Sequence, residues 1–182
     1  LSPSTAALPE GVEEPGVGEV VRLGEAPEHA ATTDRMTVLG DAIHAFLAAP
    51  ERADPKALLE AQDVAGLIAP EALPEVAAAL RAGVEARWPD ASWMTEHPVR
   101  WHTPDGRLLV GEVDLVLDTS EGLVIIDHKS YARDEKGRDD RVRAYGSQLA
   151  WYAQALRAAT GRPVLSTWLH FPLRGELVEV RL

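Results

Sequence analysis

The sequence predicts an α/β domain in which a sheet core follows a helical N-terminal part. Three observations carry this. Apolar residues recur at helical spacing up to about Trp88, and beyond it the pattern changes to short β-branched runs. Turn residues separate those runs, at Pro104-Asp105-Gly106 and Thr119-Ser120-Glu121-Gly122. The resulting order is helices, three strands, a helix and two strands, which belongs to an α/β or α+β domain. With 182 residues, 46% of them apolar, the chain can fill one core.

Taken in order, residues 1–33 are rich in Pro, Gly and Glu and read as an extended arm. The rest, 34–182, reads as one domain, with a helical part at 34–90 and a sheet core at 91–182. Thr33-Asp34 is placed to cap a helix running to about Ala49, with Leu39, Ile43, Phe46 and Leu47 on its apolar face. Asp54-Pro55 reads as N-cap and first position of a short helix to about Ala65. A third helix, from Glu71 or Pro74 to Trp88, is stopped by Pro89-Asp90. Residues 92–101 alternate weakly, and 107–117 and 123–128 are strands. After a polar loop, a helix from about Arg141 to Thr160 ends at Gly161-Arg162-Pro163. Residues 164–171 and 176–182 close the sheet.

Composition excludes several classes. No run approaches the length of a membrane span, so no membrane partner is expected. The opening residues have neither a basic region nor an apolar run and do not read as a signal peptide. Beginning with Leu rather than Met, the sequence reads as a fragment of something larger. The absence of cysteine excludes disulfides, cysteine zinc sites and iron–sulfur clusters, and fits a cytoplasmic protein. A net charge of −11 argues at first against nucleic acid. Its distribution softens the objection: residues 1–95 carry 16 acids and 6 bases, residues 96–182 carry 13 and 12. The second half also holds a basic string, Lys129, Arg133, Lys136, Arg138, Arg141 and Arg143, with acids mixed in as in a solvated loop.

The chemistry concentrates in residues 111–129. Side chains alternate along a strand, so Asp127 and Lys129 point one way and His128 the other. If the two strands pair as a hairpin, Asp114 lies beside Asp127. Burying two carboxylates together is costly unless something cationic joins them, and a divalent metal is the usual solution. Lys129 is one of only three lysines in an arginine-rich chain. An ammonium shifts its pKa more readily than a guanidinium, so the choice is meaningful.

Asp114 followed by Asp127-His128-Lys129 resembles the PD-(D/E)xK nuclease superfamily. Four further motifs in order point to its RecB-like branch. Gly40-Asp41-Ala42-Ile43-His44 resembles the G-x-x-x-H helix, and Thr95-Glu96-His97-Pro98 the acidic E-x-P strand. Gly111-Glu112-Val113-Asp114 resembles the G-x-x-D strand, and Gln148-Leu149-Ala150-Trp151-Tyr152 the Q-x-x-x-Y helix. Leu1-Ser2-Pro3-Ser4 resembles the S-P-S opening of such domains at the end of AddA/RecB-type, UvrD-like helicase–nucleases. The lack of cysteine departs from AddB-type relatives.

The resemblance implies a restriction-endonuclease-like fold: a mixed central sheet flanked by helices. It implies Mg²⁺ or Mn²⁺ held by His44, Asp114, Asp127 and the backbone carbonyl of His128, with Glu96 a further candidate. Hard oxygen ligands suit these ions, and an imidazole tilts the choice towards Mn²⁺. Asp114, Asp127, Lys129, Gln148 and Tyr152 become the catalytic candidates. Gln148, Tyr152, Arg141 and Tyr145 become the candidates for nucleic-acid contact; Tyr145, Gln148 and Tyr152 share one helix face. The implied partners are DNA, in single-stranded form, and helicase domains of a parent chain or of a partner helicase–nuclease. The implied activity is metal-dependent exonuclease cleavage in double-strand-break repair and recombination.

Each residue alone has a plainer reading. Asp114 alone would be a turn residue, Lys129 a solvated strand end, His44 a packed histidine, and Tyr145 and Tyr152 core. Their joint order is what the plain reading fails to explain. His97, His102 and His170 fall in strands and read as structural, and His29 sits in the arm. The five tryptophans read as core or interdomain packing, and Glu112 is a weak extra candidate. The rival functional class is a catalytically silent nuclease-like scaffold that binds DNA or a partner. Such members usually lose the lysine or a carboxylate, and both are present here. A restriction-type endonuclease ranks last, because nothing resembles a base-reading element.

Overall fold

The computed structural model describes residues 1–32 and 34–182. Among these, six strands form one sheet in the order β1 (Gly16–Arg22), β6 (Glu176–Arg181), β5 (Val164–Phe171), β4 (Leu123–His128), β3 (Leu108–Asp118) and β2 (Ser92–His102). Only the β4–β5 pair is parallel, which requires a crossover. That crossover is α4 (Glu135–Thr160). α1 (Met36–Ala48), α2 (Pro55–Ala61) and α3 (Ala72–Arg87) come before β2. This is the mixed, restriction-endonuclease-like α/β architecture expected. No helix among the described residues is long and apolar enough to cross a membrane.

Two buried clusters flank the sheet. On one side Leu39, Ile43 and Phe46 of α1 and Leu73, Leu80 and Val84 of α3 pack with Leu115, Leu117, Val124, Ile126 and Trp168. On the other, Leu149, Tyr152 and Leu156 of α4 pack with Val116, Ile125, Leu169 and Val178. The period-2 alternation of β4 thus sends Val124 and Ile126 one way and Ile125 the other. The site forms where both helical layers reach the end of β4 and the middle of β3.

The structure differs from expectation in four places. The arm at 1–33 contains β1, which pairs antiparallel with β6. Its opening residues also dock, since the Ala7 carbonyl accepts from Trp151 Nε1 at 2.8 Å and Pro3 is buried. Thr33 lies outside the described residues. Asp34 does not cap α1: Arg35 is the residue before the helix and provides no side-chain cap, and Asp34 accepts from Thr32 instead. α2 ends at Ala61, four residues early, with Asp54 capping it through Ala57 N at 3.0 Å. α4 begins at Glu135, because Asp134 is an N-cap for Gly137 N at 2.8 Å. Much of the basic string is therefore helical. Arg138 within it is buried, 3.3 Å from Glu176 and 2.7 Å from Asp139.

Candidate active site

β3 and β4 pair with Leu115 opposite Ile126. One step further along this register, Asp114 stands across from Asp127. Asp114 Oδ2 accepts from the His128 N–H at 2.6 Å, and Asp127 Oδ2 lies 2.5 Å from Lys129 Nζ. Asp127 and Lys129 therefore share a side, as alternation requires. The His128 ring turns to the opposite side and meets the His44 ring edge-on, with centroids 5.5 Å apart.

α1 carries His44 to this strand end. Gly40, one turn earlier, makes the approach possible: a Cβ there would collide with the Ser130 hydroxyl. His44 Nε2 comes within 3.0 Å of Asp114 Oδ2 and 4.0 Å of Glu96 Oε1. Glu96 reaches in from β2 with φ +50°, the left-handed region that glutamate rarely adopts. The β2–β3 ladder keeps one register on both sides of this point but omits the Glu96–Asp114 pair. Strain here aims a carboxylate at the centre.

One ligand atom each from His44, Glu96 and Asp114 lie within 4.8 Å of one another. Adjacent ligands around an octahedral ion of about 2.1 Å bond length stand roughly 3 Å apart, and opposite ones roughly 4.2 Å. The two distances from His44 Nε2, 3.0 Å to Asp114 and 4.0 Å to Glu96, fall within that span. His44 Nε2 and Asp127 Oδ2 are buried without a well-aligned hydrogen bond, despite their close neighbours. The imidazole and carboxylate donors grouped from His44, Glu96 and Asp114 suit a divalent cation. Asp127 is not in the three-residue group; its oxygens are engaged by Lys129 and by Gln148 Nε2, the latter at 3.1 Å.

The charges press on one another. Burial is the largest push on Asp127, to about 7, and Asp114 adds to it while Lys129 opposes. Burial, then the neighbouring Glu112, raises Glu96 to about 7. Asp114 is also pushed up by burial, but the His44 and His128 contacts outweigh this and hold it below its ordinary value. His44 is raised, chiefly by Asp114. Burial works against the Lys129 charge, yet Asp127 outweighs it and the ammonium ends up raised. Burial lowers His128 to about 4 and His170 well below the imidazole range.

α4 completes the site from the other side. Gln148 Nε2 also lies 3.3 Å from Tyr152 OH, which donates to the Glu112 carbonyl at 2.7 Å. Lys129 Nζ sits over the Tyr145 ring, 4.5 Å from its centroid. Arg141 Nη1 lies 3.5 Å from Tyr145 OH. Arg141, Tyr145, Lys129, His128 and His44 all line a cleft of about 880 Å³ between α1 and α4. The side chains of the sequence-selected residues thus gather around the end of β4 and the middle of β3. Sequence reasoning passes over His170 as a structural strand histidine, although its Nδ1 lies 3.0 Å from His128 Nδ1. The signal emerges only with strand order in hand, because β4 and β5 are parallel with His128 opposite His170.

A mixed sheet with a carboxylate–imidazole cluster and an adjacent lysine is the arrangement of a nuclease-like domain, and the His44, Glu96 and Asp114 group could hold a metal ion. The family model of the PD-(D/E)XK nuclease superfamily matches residues 17–181, and the chain belongs to that superfamily. It is similar to the AddA-type ATP-dependent helicase/nuclease of Levilactobacillus brevis, 35% identical over 81 residues, 42% of this chain and 6% of the relative. The corresponding helicase/nuclease of Desulforamulus reducens is 32% identical over 73 residues, 40% of this chain and 6% of the relative. The matched regions thus span only a small part of these relatives' length.

Proposed function

We propose that this chain is a metal-dependent DNA nuclease domain, an exonuclease acting on single-stranded DNA within a helicase–nuclease that processes double-strand breaks for recombinational repair. The observation that carries the reading is the convergence of His44, Glu96 and Asp114 beside the Asp127–Lys129 pair. The names of the similar proteins support the motor context: a helicase in the same polypeptide, or in a partner protein, would feed the strand.

In this reading His44, Asp114 and Glu96, joined by Asp127 and the His128 carbonyl, hold Mg²⁺ or Mn²⁺. A bound divalent cation supplies Lewis acidity to the phosphate and makes water a better nucleophile at neutral pH. The protein's own groups do the rest. Lys129, pinned by Asp127 and the Tyr145 face, orients the attacking water and balances charge on the phosphoryl oxygens. Gln148 fixes the Asp127 carboxylate. Tyr152, anchored on the Glu112 carbonyl, fixes Gln148. Arg141 and Tyr145 border the path of the strand. In-line attack by water then breaks the bond from phosphorus to the leaving sugar oxygen.

The test is incubation with single-stranded DNA and Mn²⁺ or Mg²⁺, beside Asp127→Ala and Lys129→Ala. The expected loss in each variant is about 10²–10⁴-fold, the usual worth of a positioned proton-transfer or charge-stabilising group. Equal cleavage by all three samples would point to a contaminant. An inert wild type with no metal-dependent thermal shift would sink the reading.

A further inference from the structure

His170 is 1% exposed and lies on β5, beside β4 with its candidate ligands Asp127 and the His128 carbonyl, and two strands from Asp114 on β3. It clamps the end of β4 in two ways. Its carbonyl accepts from Lys129 N at 2.8 Å, and its Nδ1 faces His128 Nδ1 at 3.0 Å. Two ring nitrogens at that distance hold one hydrogen between them, so one imidazole donates and the other accepts. The His128 ring, fixed in this way, stands edge-on to His44, while its main-chain N–H holds the Asp114 oxygen that faces His44. The rings of His170, His128 and His44 thus form a continuous row, with centroid spacings of 5.0 and 5.5 Å.

We infer that His170 is a positioning residue for the metal centre: its Nδ1 hydrogen bond locks the His128 ring, and that ring sets the orientation of His44 towards Asp114. Packing alone would explain a leucine or phenylalanine at this buried position. It does not explain an imidazole aimed at a second imidazole. The inference rests on the reading of His44 and Asp114 as ligands.

The experiment uses the 182-residue chain with ¹⁵N-labelled histidine and Mn²⁺ as probe. In the metal-free wild type, a scalar coupling between the two Nδ1 nuclei across the hydrogen bond is expected; its absence overturns the clamp without any variant. Calorimetric Mn²⁺ affinity is then compared for wild type, His170→Leu and His170→Asn. Groups that orient metal ligands are typically worth 10–100-fold in affinity, and for this two-step link about tenfold is expected to be lost in His170→Leu. His170→Asn, whose amide can replace Nδ1, should return to within about threefold of wild type, well inside that range. Unchanged affinity in a folded His170→Leu, with only its melting temperature lowered, reduces His170 to core packing and overturns the inference. Equal losses in both variants do the same. If the wild type itself binds no Mn²⁺, the ligand reading fails instead, and the coupling still reports on the ring pair.

Discussion

At the residue scale the centre is built from groups that resist one another. Glu96 and Asp127 are each raised to about 7, and burial is the first cause in both. His44 is raised as well. Ligating a cation requires these groups to shed their protons, so affinity for Mn²⁺ should climb steeply between about pH 6 and 8. Calorimetry at about pH 6.5, in buffers of different ionisation enthalpy, should report release of at least about one proton; binding independent of pH would contradict this assignment. The same shifts act on stability. An acid whose folded pKa lies above its unfolded value stabilises the fold fully below the unfolded value, and that contribution is lost as pH rises through the folded one. Glu96 therefore weakens the metal-free chain as pH rises from its ordinary value to about 7. Glu96→Gln should raise the melting temperature in EDTA at about pH 8 and leave it unchanged near pH 4, where wild-type Glu96 is already neutral. The Glu96 side chain is 38% exposed, so solvent screening limits the gain to about 0.5–1 kcal/mol. The same variant should bind Mn²⁺ more weakly. A melting temperature that falls at the higher pH would mean that Glu96 is not held against its charge.

At the element scale the site depends on how α4 seats against the sheet and against the first residues. Gly146 of α4 faces Pro15, and a Cβ there would collide with the proline ring. Helix propensity alone favours Gly146→Ala by about 1 kcal/mol. Overpacking against a rigid proline ring costs about 1–3 kcal/mol, so the steric cost wins. Gly146→Ala should lower the melting temperature by several degrees; a rise would mean that the segment leading into β1 is not held against α4. What the sequence could and could not reveal follows the same physics. The β3–β4 hairpin was legible because strand alternation allows only two faces, and Asp127 and Lys129 share a parity. Asp54-Pro55 and Gly161 were legible because capping is local. β1 was hidden, because an edge strand written with Gly and Glu lacks the apolar alternation of a buried one. The start of α4 was hidden for a similar reason. Its first turns are charged on every side, and burial of Arg138 against Glu176 is a long-range ion pair that no periodicity records. His44 could be named only through the motif it resembles, since no local pattern brings α1 to the middle of β3.

At the scale of the whole molecule, charge sets how well this chain alone can hold DNA. The net charge is −11, whereas non-specific affinity for DNA comes almost entirely from cations displacing counterions on phosphates. The cleft lined by Lys129, Arg133 and Arg141 also carries Asp41 and Asp140. Arg138, close by in sequence, is committed to Glu176 and Asp139. Few cations are therefore placed to meet a strand, and the field of the first half repels it. Binding of a short single strand by the metal-free chain should be weak, about 10⁻⁵ M or weaker at roughly 0.15 M salt. The slope of log affinity against log salt should correspond to no more than about three phosphate contacts on the single-strand scale. Arg141→Ala should reduce that slope by about one contact without altering Mn²⁺ affinity, because Arg141 borders the cleft rather than the centre. Fluorescence anisotropy across a salt titration measures both quantities. Nanomolar affinity at physiological salt would overturn the prediction that this chain alone holds DNA weakly.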